Sequence, residues 1–371
     1  MPGQRNYDSA TRRWAGLGPY YAMFPTDFAD RVVRKYTDVG DLVLDPFAGR
    51  GTSVFSAASQ CRAAVGVEIS PVGFIYAKTK LGPADHDAVV DRLRKIRRAA
   101  GARKFGDDAR SLPLFFKCCF ATQVRRFLLA ARDRLDWRRS KVDRTTMAIL
   151  LVYLHGKEGA ALSNQMRQTK SMAPDYAIQW WRDNDKFPPD IDPVEFLTSR
   201  LQWRYARGIP DCEDSTVYLG NSVTILPRVA ARIAQRKLPK AKLLFTSPPY
   251  YGITNYHYDQ WLRLWLLGGP PHARLNGNGR KGKFEHREHY GDLLREVVLQ
   301  AKSILHRDAI VYVRTDARCF TRHTTIDVLS SVFPRKTLVE RRRPLFGATQ
   351  TQLFGNFDEK DGEVDLILEP R

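Results

Sequence analysis

The stretch from Asp41 to Glu68 constrains the fold more than any other part of this 371-residue chain. Asp41-Leu42-Val43-Leu44-Asp45 is an apolar run too short for a helix, and it reads as a buried strand. Gly49, Gly51 and Thr52 follow at once, then a helix-like run over residues 54–60. A second apolar run, Ala63-Ala64-Val65-Gly66-Val67, ends on Glu68. Strand, glycine turn, helix, strand and terminal acid is the order of a βαβ unit. In such a unit the turn approaches a ligand, and the acid can accept hydrogen bonds from two ribose hydroxyls. The turn lacks the Gly-Lys-Ser/Thr of a phosphate loop, and it has two glycines where the dinucleotide fingerprint has three. A nucleoside ligand without a pyrophosphate fits it better.

The second informative segment is Leu243-Leu244-Phe245-Thr246-Ser247-Pro248-Pro249-Tyr250. Prolines cannot continue a central ladder, so the strand ends there, at the carboxyl edge where open α/β sheets bind ligands. The paired prolines also stiffen the backbone. Ser247 Oγ and the Pro248 carbonyl are then fixed acceptors, and Tyr250 is a flat surface for stacking. Acceptors of this kind can orient the lone pair of an exocyclic amino group, which is otherwise delocalised into its base.

Around these segments the chain alternates. Strands are expected at 216–219, 241–246 and 309–313, and late ones near 337–341 and 364–368, with a helix over 291–305. Together they make an α/β pattern with a parallel sheet. From 85 to 211 strand character is low. Val124, Phe127, Leu128, Ala131 and Leu135 fall at helical spacing, and 145–155 reads as a buried helix. The stretch 171–193, with Tyr176, Trp180, Trp181 and several prolines, reads as irregular. The expected organisation is a core in two parts, 1–84 and 213–371, around a helical insertion, 85–212.

Charge points to the partner. Lys and Arg number 60 against 40 acids, a net +20, as expected of a protein that displaces counterions from a polyanion. The stretch 263–287 carries six of these cations, and 268–282 is rich in Gly, Pro and Asn, so Arg280, Lys281 and Lys283 on a flexible loop are candidate contacts. Arg341-Arg342-Arg343 is a second candidate, open equally to a solvated charge run. Trp180-Trp181, Arg125-Arg126 and Arg138-Arg139 are open to the same two readings. Trp261, Leu262, Trp265 and Leu266 have the spacing of a core helix face. No apolar stretch is long enough to span a bilayer, and Met1-Pro2-Gly3-Gln4-Arg5 has no signal-peptide core, so no membrane partner is expected. Five scattered cysteines without a Cys-x-x-Cys pair argue against a zinc site.

Asp45-Pro46-Phe47-Ala48-Gly49-Arg50-Gly51-Thr52 resembles the cofactor motif of the amino-type DNA methyltransferases, which modify adenine N6 or cytosine N4. The resemblance implies a Rossmann-like class I methyltransferase sheet, S-adenosyl-L-methionine as cofactor and no metal. It assigns Asp45, Phe47, Gly49 and Gly51 to the methionine end, Glu68 to the ribose, and Thr52 to the cofactor site. Phe24-Pro25 resembles a further cofactor contact, and Asn221 stands where that family's adenine-side element usually has Asp. Ser247-Pro248-Pro249-Tyr250 resembles the catalytic motif most typical of the cytosine-N4 group; adenine-N6 enzymes more often begin it with Asp or Asn. The absence of a Pro-Cys pair sets cytosine-C5 chemistry aside. The implied substrate is double-stranded DNA with its target base flipped out. Alternatives are adenine N6, RNA, or an inactive DNA-binding protein on the same scaffold. The resemblance also implies a prokaryotic cytoplasmic, nucleoid-associated setting, a partner restriction endonuclease or defence system, and target recognition in the insertion.

Overall fold

Strand β1 (Leu42–Asp45) is buried at all four residues, as a central parallel strand covered on both faces must be. Residues 7–19, 24–212, 214–252, 256–273, 287–343 and 362–371 are described in the computed structural model. β2 (Ala63–Glu68), β3 (Ser215–Leu219), β4 (Ala241–Thr246), β5 (Leu305–Asp316), β6 (Lys336–Arg343) and β7 (Glu363–Pro370) complete a seven-stranded sheet of order β3-β2-β1-β4-β5-β7-β6. This is an α/β sheet with helices on both faces, as the alternation predicts. One expectation needs correction, because the sheet is not wholly parallel: β7 runs antiparallel to both β5 and β6. A parallel last strand would need a further crossover connection. Reversal instead sets the start of β7 at the edge where the parallel strands end.

Side chains alternate between two cores. Val43, Leu243 and Phe245 face one, while Leu42, Leu44 and Leu244 face the other. The second face is covered by α12 (Ser222–Ala234), α15 (Arg287–Ile304) and α16 (Cys319–Val332). The first is covered by α1 (Ala10–Ala15), α2 (Thr26–Tyr36), α3 (Thr52–Ala58) and α4 (Pro71–Leu81).

Between α4 and β3 the chain is helical: α5 (His86–Ala100), α6 (Arg103–Ser111), α7 (Leu114–Cys119), α8 (Thr122–Arg134), α9 (Lys141–Tyr153), α10 (Pro174–Asp183) and α11 (Pro193–Tyr205). Asp85, Ser140 and Asp192 cap α5, α9 and α11 by accepting first-turn N–H groups. The segment expected to be irregular contains α10. Its proline sits at the first helical position, where no donor is needed, and Ala177 and Trp181 bury one face at i, i+4 spacing. Trp181 packs on Phe115 and donates Nε1–H to the Gln165 carbonyl at 2.6 Å, so it is core and not a DNA contact. Arg125 donates to the Phe120 carbonyl, and Arg126 to the carbonyls of Ala100 and Gly101. Both therefore brace helix ends.

The apolar core of this helical stretch is continuous with that of the sheet. The chain just beyond the Ser247–Tyr250 turn joins it. α13 (Tyr256–Asp259) leads into α14 (Trp261–Leu266), whose Trp261 and Trp265 pack on Phe115 and Phe116, as the apolar spacing predicts. Arg263 is fully buried between them and donates to the carbonyls of Leu151 and Gln168.

Candidate active site

The strand order reverses direction between β1 and β4. This switch point opens a crevice at the carboxyl edge, and the two informative segments lie on either side of it. The Asp45 carboxylate joins them. It accepts hydrogen bonds from Phe47 N–H at 3.0 Å, from Thr246 Oγ1 at 2.6 Å and from Ser53 Oγ. Three donors occupy most of its acceptor sites, so Asp45 holds both turns together. Burial pushes its pKa up to about 6 against those three bonds.

The glycine turn has the geometry of a ligand cradle. Gly49 and Gly51 adopt φ of 54° and 75°, in the left-handed region that favours glycine. A Cβ on Gly51 would lie 2.6 Å from Ala77 Cβ, so α3 can start here only without a side chain. Gly51→Ala is expected to destabilise the fold by about 1–3 kcal/mol. Equilibrium unfolding measures this, and a variant as stable as the parent would contradict the close approach. Thr52 opens α3 with its hydroxyl buried and without a hydrogen-bond partner, beside the first-turn N–H groups of a helix that no side chain caps.

Glu68 closes the cradle. Its Oε2 accepts from Gly49 N–H at 2.7 Å and its Oε1 from Ser70 N–H at 2.8 Å. A carboxylate has about four acceptor positions, so two stay open for a diol. Burial raises its pKa to about 7, and the Asp45 charge adds to the shift. Ile69, which follows it, is 48 % exposed and offers an apolar face beside the acid. Asn221 caps α12, its Oδ1 accepting from Val223 N–H at 3.0 Å, which leaves the amide hydrogens for other partners. The open acceptors, the unpartnered hydroxyl and the apolar face fit the ribose, amino-acid tail and adenine of S-adenosylmethionine. Among the described residues no cluster of His, Cys, Asp or Glu could hold a metal.

Phe24 lies deeper than a surface contact would. Its ring is 8 % exposed and stacks on Phe245 at 4.6 Å, while Pro25 is exposed.

On the side of the second turn Ser247 is half-buried. Its hydroxyl faces the Tyr250 hydroxyl at 3.4 Å, and Tyr250 donates to Glu363 Oε1 at 3.1 Å. Burial, and then the Glu363 charge, raise the Tyr250 pKa well above its ordinary value, so the phenol stays protonated. Glu363 was not among the residues singled out in the sequence. The signal available was an acid at alternate positions, Glu363 and Asp365, in an otherwise apolar strand. Beyond the turn, Arg318 donates to the Tyr251 carbonyl and is held by Asp316, while the Tyr251 ring packs on Tyr290 and Phe320.

Of the expected nucleic-acid contacts, Arg341 is exposed on β6. Arg280, Lys281 and Lys283 lie outside the described residues, as do the side chains of Arg342 and Arg343. Among the described residues no helix is long and apolar enough to cross a membrane.

Comparison with known proteins bears on the cofactor half. The chain is 29 % identical over 86 residues to Type II methyltransferase M.MjaII of Methanocaldococcus jannaschii, covering 23 % of this chain and 16 % of that protein. It is 44 % identical over 48 residues to Type II methyltransferase M.MjaI of the same organism, covering 13 % of this chain and 16 % of the relative. The matched stretches thus span about a sixth of each curated relative. Among solved structures, the rRNA methyltransferase aviRa from Streptomyces viridochromogenes aligns over 99 % of this chain and 94 % of its own, at 12 % identity and a TM-score of 0.37. Residues 3–78, which hold Phe24-Pro25, the glycine turn and Glu68, match the model of the N6_N4_Mtase family, described as DNA methylase.

Proposed function

We propose that this protein transfers a methyl group from S-adenosylmethionine to the exocyclic N4 of cytosine in specific sequences of double-stranded DNA. The observation that carries the reading is the Thr246–Asp45 hydrogen bond. It holds the nucleoside cradle and the Ser-Pro-Pro-Tyr turn on opposite sides of one crevice. The cofactor supplies an electrophilic methyl group on a sulfonium. The chain's own residues must present the amine to it. Ser247 Oγ and the Pro248 carbonyl accept the two amino hydrogens, which turns the nitrogen lone pair out of conjugation and bears part of the positive charge that develops. The half-buried Tyr250 ring supports the face of the base. A paired base cannot reach such a crevice, so the target leaves the helix first.

Cytosine is preferred over adenine because the turn begins with Ser247, and the net charge of +20 favours a polyanion. The DNA methylase family model matched by residues 3–78 and the Type II methyltransferase relatives support a DNA substrate, and a neighbouring restriction endonuclease in a prokaryotic cytoplasm belongs to the same proposal. The helical insertion, which shares its core with the segment behind the catalytic turn, is the proposed recognition element. The deciding experiment is transfer of labelled methyl to duplex DNA, followed by nucleoside analysis. N4-methylcytosine supports the reading, N6-methyladenine moves it to adenine, and label appearing only in RNA overturns the substrate.

The Glu68 role has its own test. Ribose hydroxyls donate best to the ionised carboxylate, while burial in the free protein favours the neutral form below about pH 7. Affinity is therefore lost as pH falls through that value. For a group of this pKa the ionised fraction rises about tenfold between pH 6 and pH 8, and S-adenosylmethionine affinity should rise by about that factor. In titration calorimetry Glu68→Gln should bind weakly with a flat profile. A flat profile in the unmutated protein would remove Glu68 from the ribose.

A further inference from the structure

Ser247 can serve an amino group only if its own hydrogen points elsewhere, since a hydroxyl both donates and accepts. The surroundings of the turn fix that direction. Ser247 Oγ–H faces the Tyr250 oxygen at 3.4 Å, a long contact of the kind that tightens when a substrate packs against it. The phenol can take this hydrogen only by giving its own to another acceptor, and Glu363 Oε1 lies 3.1 Å away. A carboxylate only accepts. Glu363 is oriented in turn by Arg314, whose Nη1 is 3.4 Å from Oε2. Arg314 is buried, held by Asp365 through Nε at 2.6 Å and Nη2 at 3.1 Å, and its guanidinium lies 3.5 Å from the Phe28 ring centroid. The chain of donors therefore has one sense, from Ser247 through Tyr250 to Glu363.

We propose that Glu363 is a positioning residue that sets the hydrogen-bond polarity of the catalytic turn, leaving Ser247 as a pure acceptor toward the substrate. This rests on the methyltransferase reading and deepens it. A pocket of that polarity takes a base that presents an amino group and repels one that presents a carbonyl oxygen at the same place. Discrimination between cytosine and uracil would then arise in the turn itself, with no separate recognition residue.

The test is a double-mutant cycle on the single-turnover rate, using the full chain and a duplex carrying its target site. Glu363→Gln and Tyr250→Phe are each expected to slow transfer about 10- to 100-fold. The double variant should be no slower than the slower single one, because both act through one hydroxyl. Cofactor affinity and thermal midpoint should be unchanged. A purely structural role for Glu363 predicts an equal penalty in the Tyr250→Phe background, and that result, or an unchanged rate in Glu363→Gln, overturns the proposal. If Glu363→Gln fails to fold, Tyr250→Phe still decides through binding. It should narrow the preference for a target cytosine over uracil in the same duplex, and an unchanged preference overturns the inference. Absence of transfer by the unmutated protein would overturn the methyltransferase reading, and this proposal with it.

Discussion

Ser247→Ala is expected to lower the rate of methyl transfer to duplex DNA by about 10²–10³-fold, by analogy with removal of one preorganised hydrogen-bonding group from other active sites. The reason is geometric. Ser247 follows Thr246, whose hydroxyl is tied to Asp45, and precedes two prolines, so its position is fixed before any substrate arrives. An alanine there keeps the backbone and the Pro248 carbonyl but leaves one amino hydrogen without an acceptor. The cofactor cradle lies across the crevice on β1 and β2, so S-adenosylmethionine affinity should hold within about threefold, a change below the roughly 1.4 kcal/mol of a tenfold effect. Rapid-quench transfer assays and calorimetry on the same preparation separate the two quantities. Equal loss of rate and of cofactor affinity would mean that Ser247 supports the cradle and not the amine.

The largest effect on stability is expected at Asp365. It is fully buried in β7, paired across the sheet with Arg314, which is itself 4 % exposed. The two make a bidentate ion pair, at 2.6 and 3.1 Å, with the guanidinium stacked on Phe28. Asp365→Ala leaves a buried guanidinium without its main partner, and removal of one member of such a pair costs about 3–5 kcal/mol. Replacing both residues, as Arg314→Met with Asp365→Leu, should recover most of that loss, because apolar side chains of similar volume remove the desolvation penalty as well as the attraction. Denaturant unfolding of the three proteins checks the claim. A single variant within 1 kcal/mol of the parent would indicate that water or another group compensates Arg314. The double variant also deprives Glu363 of its cation, so its transfer rate should fall although its stability recovers.

Much of the cofactor side was legible in the linear sequence. The run from β1 to Glu68 is contiguous, and each part of it is specified by neighbours a few residues away. Glycines at 49 and 51 need positive φ, Thr52 starts a helix, and an apolar run must end where Glu68 begins. The strand at 241–246 was legible for the same reason, its end marked by two prolines. The stretch 171–193 reads as irregular because of its prolines, yet Pro174 occupies the one helical position where proline is welcome, and Ala177 and Trp181 bury a helix face. Trp181 is taken up by packing, and Arg125 and Arg126 donate to backbone carbonyls at helix ends.

Sequence by itself determined the two turns, their chemistry and the α/β alternation, since those follow from local backbone preference and from short-range apolar patterning. Tertiary structure alone decided how the turns meet. Asp45 and Thr246 are 201 positions apart and share a hydrogen bond because β1 and β4 are neighbours at the switch point. Glu363 lies 113 positions beyond Tyr250 and reaches it only because β7 reverses direction and begins at the carboxyl edge. Strand order and strand direction are set by which faces bury the most apolar surface across the whole sheet, a sum over distant residues that no local window contains.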